Sequence, residues 1–352
     1  MGSEKIIIDG KEYEFKQGET ILEVARRNNI FIPTLCYLKG ATPTGACRIC
    51  VVEVEGARNL VASCAMPASP NMVVHTESER VVRSRKLTLQ LLLSSGNHNC
   101  LLCPANGDCR LQELAYRYQV EGYLFPRRRT PHSIEDVNPF IVRDFSRCIL
   151  CGRCVQACQE IQVNEAISYG YRGINSKIVA AGDSPLKDSD CVFCGECVQA
   201  CPTGALFPKD SHLKPRSWEL KKVRTTCTYC GVGCQLYLHV KDNRVHKVTG
   251  VEDVPPNYGS LCVKGRFGFE FINSPERLTR PLIKENGEFR EASWDEALSL
   301  VAKKLSEIKD AHGADSIGVF TSARLTNEEN YVIQKFTRAV IGTNNIDHCA
   351  RL

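Results

Sequence analysis

Residues 5–8 (Lys-Ile-Ile-Ile) and 12–15 (Glu-Tyr-Glu-Phe, alternating polar and apolar) read as strands on either side of Asp9-Gly10. An Asp-Gly pair between two such runs predicts a β-hairpin, because both loop positions need a positive φ. Thr20-x-x-Glu23 then forms a capping box before Ile21, Leu22, Val24 and Ala25, which predicts a helix. Strand-like runs at 50–54, 60–63 and 72–75 complete a β-rich unit. A second box, Thr76-x-x-Glu79, opens an amphipathic helix carrying Val81, Val82, Leu87, Leu89 and residues 91–93, which Gly96 ends. Residues 120–140 hold Pro126, Pro131, Pro139 and the run Arg127-Arg128-Arg129 with little apolar periodicity. They read as a surface connector in which the arginines form a solvated turn, with the next unit beginning near Asn138. Past Pro281 the pattern becomes helix (Ser293-x-x-Glu296, then Leu298, Val301, Leu305, Ile308), strand (317–321) and helix (Thr326-x-x-Glu329, ending at Gly342). That alternation starts an α/β domain. One strand and two helices cannot bury both faces of such a sheet, so the C-terminus reads as the middle of a domain.

Composition changes this picture through one residue type. The 352 residues include 20 cysteines, fifteen of them at C-x2-C or C-x3-C spacing, which gathers sulfurs locally as metal sites do. A secreted disulfide scaffold is normally a much shorter chain behind a signal peptide. Residues 1–15 alternate like a strand and contain no apolar h-region, so a reducing cytoplasm is expected. The apolar stretch at 87–93 is far too short to span a bilayer. The formal net charge is +5 with basic residues spread along the chain, and bound iron–sulfur clusters would bring the loaded protein to about −4. Nucleic acid is therefore not expected as a partner.

Cys148-x2-Cys151-x2-Cys154-x3-Cys158 recurs as Cys191-x2-Cys194-x2-Cys197-x3-Cys201, with Val-Gln-Ala repeated before each final cysteine. This internal repeat, with Pro202 after the second copy, is the two-cluster ferredoxin run whose fourth cysteine ligates the other cluster. It assigns Cys148, Cys151, Cys154 and Cys201 to one [4Fe-4S] cluster and Cys191, Cys194, Cys197 and Cys158 to a second; zinc is the alternative. Cys36-x10-Cys47-x2-Cys50-x13-Cys64 keeps the C-x2-C and distant fourth cysteine of plant-type [2Fe-2S] sites but lengthens the first interval from four to ten. Gly40, Gly45 and Ala46 leave room for backbone amides at the sulfurs; four buried structural cysteines are the alternative. Cys100-x2-Cys103-x5-Cys109 offers three thiolates, with His98 two residues upstream. His98 is either the fourth ligand of a [4Fe-4S] cluster or a solvated loop histidine. Cys227-x2-Cys230-x3-Cys234 and Cys262 form a last four-ligand group, with Gly231 and Gly233 relieving crowding and Lys264 beside it. Cys349 is left over.

The first 210 or so residues resemble the iron–sulfur arm shared by [FeFe]-hydrogenases, the large iron–sulfur subunit of NADH:quinone oxidoreductase, and cytosolic molybdenum or tungsten formate dehydrogenases. CTYCGVGC at 227–234 and GSLCVKGRFG at 259–268 resemble the start of a bis-molybdopterin guanine dinucleotide enzyme, and residues 326–352 resemble the formate dehydrogenase segment. The likeness covers essentially the whole chain. Two departures stand out. In the related arms the histidine ligand stands four residues before the first cysteine, where this chain has Gly96. In the family, the segment like 344–352 runs into the selenocysteine or cysteine that ligates the metal and then a catalytic histidine, and this sequence stops before them. A UGA selenocysteine codon read as a stop is the expected cause, and the chain as given is expected to hold no catalytic residue and to be inactive alone.

The resemblance implies the electron-relay part of a formate dehydrogenase, with one [2Fe-2S] cluster, four [4Fe-4S] clusters and a molybdenum or tungsten pterin in the full-length protein. The implied order runs from the pterin through the Cys227 cluster and the two ferredoxin-type clusters to the His98 and Cys36 clusters, with Lys264 bridging pterin and first cluster. No complete G-x-G-x-x-G is present, so a flavin/NAD(P)-binding subunit, a ferredoxin or a hydrogenase subunit is the expected electron partner. The alternative is an autonomous multi-cluster electron-transfer subunit of a hydrogenase or NADH:quinone oxidoreductase-type complex. The expected fold is an α+β multidomain iron–sulfur protein. It comprises a β-grasp [2Fe-2S] domain at 1–78, a helical His/Cys3 segment at 79–120 and a two-cluster bacterial ferredoxin fold at 138–212. A [4Fe-4S] subdomain at 219–275 and the start of an α/β molybdopterin domain at 276–352 follow.

Overall fold

The computed structural model describes residues 4–122, 124–126, 132–211 and 215–349. The arginine run at 127–129 and the last three residues of the resembling C-terminal segment lie outside the described residues. Strands β1 (Glu4–Ile8) and β2 (Lys11–Phe15) pair antiparallel with Ile8 opposite Lys11. Asp9 and Gly10 are the loop, at φ 48° and 78°. Helix α1 (Ile21–Arg27) starts on the complete Thr20–Glu23 capping box. Strands β3 (Val51–Val54), β4 (Val61–Ala62) and β5 (Val73–His75) join the hairpin in a sheet of order β2-β1-β5-β3-β4, with β1 and β5 parallel. Ile21, Leu22, Val24 and Ala25 of α1 share one core with Ile6, Ile8, Val52 and Val74, the β-grasp arrangement.

Helix α2 (Glu79–Ser94) begins two residues later than its sequence suggests. Ser78 is the N-cap, accepting from the Val81 N–H at 3.4 Å and donating to Glu53 at 2.5 Å. Thr76 is not the cap, because the Asp9 carboxylate takes both its N–H, at 2.8 Å, and its hydroxyl, at 2.6 Å. Glu79 is then the first helical residue and cannot close a box. The helix ends at Ser94, followed by Gly96 at φ 91°. The inward stripe also differs: Val81, Arg85 and Leu89 are buried, whereas Leu87 and Leu91 are exposed. Arg85 tolerates burial because its guanidinium donates to Glu77 at 2.7 Å, Tyr118 Oη at 2.8 Å and the Val51 carbonyl at 2.8 Å. Helix α3 (Arg110–Arg117) packs Leu111 and Leu114 against Leu89, Leu35 and Ile49.

The repeat unit consists of β6 (Ile141–Arg143), α4 (Arg153–Gln156), β7 (Ser168–Gly170), β8 (Lys177–Val179), α5 (Glu196–Ala200) and β9 (Leu206–Pro208). β6 pairs with β9, and β7 with β8, both antiparallel. The expected connector joins this unit earlier than Asn138: Glu135 exchanges two 2.9 Å backbone hydrogen bonds with Arg143 and forms a buried ion pair with it.

Strands β10 (Lys221–Thr226), β11 (Gln235–Lys241) and β12 (Arg244–Gly250) form an antiparallel sheet flanked by the short helices α6 (Val263–Phe267) and α7 (Glu270–Asn273). The next element is a hairpin, β13 (Leu282–Glu285) with β14 (Glu288–Glu291), which the sequence reading missed although Asn286-Gly287 signals it. Helix α8 (Trp294–His312) has Ser293 as N-cap, but Glu296 does not reach back, because its carboxylate pairs with Arg290 at 2.5 Å. Strand β15 (Val319–Ser322), helix α9 (Asn327–Phe336) and a second strand, β16 (Ile346–Cys349), follow. The expectation of one strand is thus corrected: β15 and β16 pair in parallel, Val319 opposite Ile346, a βαβ unit. α9 starts on the complete Thr326–Glu329 box, and the helical path stops at Gly342 with φ 87°. Leu298 and Val301 on α8, Val332 on α9 and Phe320 on β15 stay exposed. Among the described residues no helix is long and apolar enough to cross a membrane.

Candidate metal centres

In the first unit, the loop from α1 to β3 brings Cys36, Cys47 and Cys50 to Cys64. Cys50 Sγ lies 3.4 Å from Cys64 Sγ, and the Cys47 N–H donates to Cys36 Sγ at 3.5 Å. The lengthened first interval wraps this group through Gly40 and Gly45, at φ 82° and 61°, and Arg48, at φ 56°. Hydrogen bonds from Cys47 and Cys64 pull the Cys36 thiol down, while Cys47 and Cys64 are pushed up by sharing with it. Neighbouring sulfurs therefore cannot all ionise without a counter-charge, which a bound cation supplies.

Cys100, Cys103 and Cys109 flank a single helical turn and the start of α3. Burial pushes the Cys109 thiol up to about 11 and raises Cys100, with Cys103 as a further cause for both. His98 Nε2 faces the carbonyl oxygens of Ser95 at 2.7 Å and Leu92 at 3.0 Å, at the end of α2. A metal bond from His98 therefore requires Nδ1 or a turned ring.

The eight cysteines of the repeat line one apolar cavity. Burial pushes Cys148 up to about 11 and Cys151 up to about 12, and raises Cys154 and Cys197 further. The sulfurs that add to these shifts are crossed between copies. Cys201 acts on Cys148, Cys151 and Cys154, whereas Cys158 acts on Cys191, Cys194 and Cys197. The turn glycines Gly152 and Gly195 stand at φ 79° and 73°.

Cys227, Cys230 and Cys234 lie between β10 and β11, and Cys262 caps α6. The Cys227 N–H donates to the Cys234 carbonyl at 2.8 Å. Burial raises the Cys227 thiol, followed by Cys262 and Cys230, while Lys264 opposes them. Lys264 therefore sits beside this sulfur group, as its sequence position suggests. All twenty cysteines are free of disulfides, and Cys349 is exposed. Among the described residues no three His, Cys, Asp or Glu side chains close on a single-ion site. Grouped soft thiolates without oxygen donors are a ligand set suited to iron–sulfur clusters.

Side chains join the groups to one another. The Thr42 N–H, in the first cysteine loop, donates to Glu160 at 2.7 Å, near Cys158. Arg147 donates to the Asn99 carbonyl at 3.3 Å and accepts at its own carbonyl from Thr203, at 3.0 Å. Arg266 of α6 reaches α5, between Cys194 and Cys197.

Five family models match the chain in sequence order. They are the 2Fe-2S iron–sulfur cluster binding domain (5–79), the NADH-ubiquinone oxidoreductase-G iron–sulfur binding region (85–122) and the 4Fe-4S dicluster domain (147–205). The molybdopterin oxidoreductase Fe4S4 domain (220–274) and the molybdopterin oxidoreductase domain (277–352) follow. The chain belongs to the molybdopterin oxidoreductases that carry an N-terminal iron–sulfur arm, with domains of the [2Fe-2S], [4Fe-4S] and molybdopterin-binding types. Its relatives include a Staphylococcus aureus (strain USA300) protein named "Putative formate dehydrogenase", 34% identical over 98% of this chain and 39% of its own length. "Probable oxidoreductase YjgC" of Bacillus subtilis (strain 168) is 35% identical over 99% of this chain and 39% of its own length. The chain thus spans about two fifths of the length of the curated relatives it matches. A chain of a solved NAD+-reducing [NiFe]-hydrogenase, in the H2-reduced state, is 36% identical with a TM-score of 0.57, covering 61% of this chain and 91% of that chain.

Proposed function

We propose that this chain is the iron–sulfur arm and N-terminal part of a formate dehydrogenase, linking a molybdenum or tungsten pterin centre to an electron-accepting partner. The observation that supports this best is the order of the domains: a molybdopterin oxidoreductase unit directly follows a group of cysteine sets that contact one another. Cys36, Cys47, Cys50 and Cys64 would hold one [2Fe-2S] cluster. Cys148, Cys151, Cys154 and Cys201 would hold one [4Fe-4S] cluster, and Cys191, Cys194, Cys197 and Cys158 another. Cys100, Cys103 and Cys109 with His98, and Cys227, Cys230, Cys234 and Cys262, would hold the remaining two. When bound, the clusters supply one-electron carriers and the pterin metal supplies the exchange of formate with carbon dioxide. The chain's own part is to group the thiolates, exclude water from the repeat cavity and fix the spacing between sets. Lys264, beside Cys227, would face the pterin. A flavin/NAD(P)-binding subunit, a ferredoxin or a hydrogenase subunit would take the electrons, in the cytoplasm.

The hydrogenase likeness favours one second reading, an electron-transfer subunit without its own pterin. The full-length protein, purified anaerobically, separates the two. About 18 iron atoms per chain, bound pterin and formate-dependent dye reduction are expected. Full iron without pterin or formate oxidation would establish the second reading, and zinc in place of iron would overturn both.

A further inference from the structure

The two copies of the cysteine repeat differ in charge at one place. Between the turn glycine and the third cysteine the first copy has Arg153 and the second has Glu196. Arg153 is buried, its Nε has no hydrogen-bond partner, and the Cys151 and Cys201 sulfurs are among the groups that favour its charge. A cation thus stands beside the first sulfur set as part of the motif. In the second copy the same position carries a carboxylate, and the cation arrives from another domain. Arg266, 2% exposed, donates from Nε to the Cys194 carbonyl at 2.8 Å, from Nη1 to Gln199 Oε1 at 2.8 Å and from Nη2 to Glu196 Oε2 at 2.9 Å.

The fit is steric as well as electrostatic. A Cβ on Gly195 would overlap Arg266 Cδ and lie 2.8 Å from both Arg266 Nε and Phe267 Cζ, so the arginine stem occupies the space over that glycine. At Gly152 the corresponding space is filled by Tyr169, from within the repeat unit. Phe267 stacks on Phe140 at 5.3 Å between ring centroids and joins the repeat core. Arg266 stands four residues after Cys262, and the groups favouring its charge are Glu196, Cys194, Cys197 and Cys262. One buried cation therefore faces sulfurs of two donor sets in different domains.

We propose that Arg266 is a positioning residue that docks the Cys262 donor set onto the Cys194 donor set and raises the reduction potentials of both [4Fe-4S] clusters. The proposal rests on the cluster assignment given above. A guanidinium stays charged at every working pH. Held in a low-dielectric contact, it favours the more negative, reduced state of a nearby cluster. The Glu196 carboxylate opposes that effect, so removing either partner should move the potentials in opposite directions.

The experiment uses the anaerobic full-length protein at pH 8, with iron analysis and redox titration followed by electron paramagnetic resonance. Arg266→Gln is expected to lower the midpoints of two of the [4Fe-4S] signals, Glu196→Gln to raise them, and Arg266→Lys to stay near wild type. The [2Fe-2S] midpoint should not move in any of them. Unchanged midpoints, or shifts of the same sign in Arg266→Gln and Glu196→Gln, would overturn the role. If Arg266→Gln loses iron, Glu196→Gln decides alone: a rise supports the role and no rise overturns it. Failure of the underlying cluster assignment is distinct, because the wild type itself would then lack the [4Fe-4S] signals.

Discussion

Arg216 donates from Nη1 to the carbonyl oxygen of Cys103 at 2.7 Å, and from Nη2 to that of Leu101, also at 2.7 Å. A side chain just before the β10–β12 domain therefore closes the turn that carries Cys100 and Cys103. Hydrogen bonds from a charged donor contribute about 1.5–3 kcal/mol each, less where water competes. Arg216→Ala is expected to speed chelator-driven iron loss from one cluster in the full-length protein, leaving the [2Fe-2S] spectrum intact. An unchanged loss rate would show that the turn holds without the clamp.

Gly204 lies against the same cysteine. A Cβ there would overlap Cys103 Sγ and stand 3.3 Å from Ala105 Cβ. Overpacking a filled site costs about 1–3 kcal/mol, and here the displaced atom is a proposed ligand. Gly204→Ala should lower iron content by about four atoms per chain while the ferredoxin-type signals persist. Full iron content would mean that the loop moves aside.

For His98 the two variants are expected to diverge. His98→Cys should keep the cluster at Cys100, Cys103 and Cys109 with a lower midpoint, since thiolate replaces neutral imidazole. His98→Ala should lose that cluster or leave it labile. If both match the wild-type signal and midpoint, His98 is not a ligand and its ring serves the end of α2, at the carbonyl oxygens of Leu92 and Ser95.

His239, on β11, is buried and hydrogen-bonded to Thr249 Oγ1 at 2.9 Å. Burial, with Lys247 and Lys222 adding to it, lowers its pKa from 6.5 to about 4. Well above pH 6.5 neither the folded nor the unfolded state is protonated there. As pH falls towards 4 the unfolded chain takes the proton first, so stability drops, by at most about 3 kcal/mol. Hydrogen exchange of β11 and β12 amides, compared at pH 7.5 and 5, should show a larger loss of protection in wild type than in His239→Gln. Equal losses would contradict the assignment.

The parts of this fold legible in the sequence are those with local causes. Asp9-Gly10 fixes a hairpin through two positive φ angles, and Thr20 and Thr326 cap helices with their own glutamates. The C-x2-C pairs within the cysteine groups are equally local, because such a turn brings two sulfurs together whatever surrounds it. The repeat leads to the expectation that Cys158 and Cys201 are exchanged between the two sets, but the approach of Cys201 to Cys148 and of Cys158 to Cys191 is a tertiary contact. The Asn286-Gly287 hairpin was legible by the same rule and was missed.

Tertiary structure alone decided where partners distant in sequence compete for a group. Thr76 has the sequence of a cap, but Asp9, 67 residues earlier, takes its N–H and hydroxyl, and the helix starts at Ser78 instead. β16 becomes a strand by pairing with β15, 27 residues away, and no pattern in its four residues announces that. Arg85 looks like a surface residue until Glu77, Tyr118 and Val51 surround it, and Arg266 until Cys194, Glu196 and Gln199 do. A buried charge is tolerable where hydrogen-bond acceptors and opposite charges converge on it. Short-range geometry in the sequence therefore brings together the sulfurs of each C-x2-C or C-x3-C turn, while tertiary contacts bring Cys64 to Cys50, Cys201 to Cys148 and Cys262 to Cys227 and determine which charges face those groups.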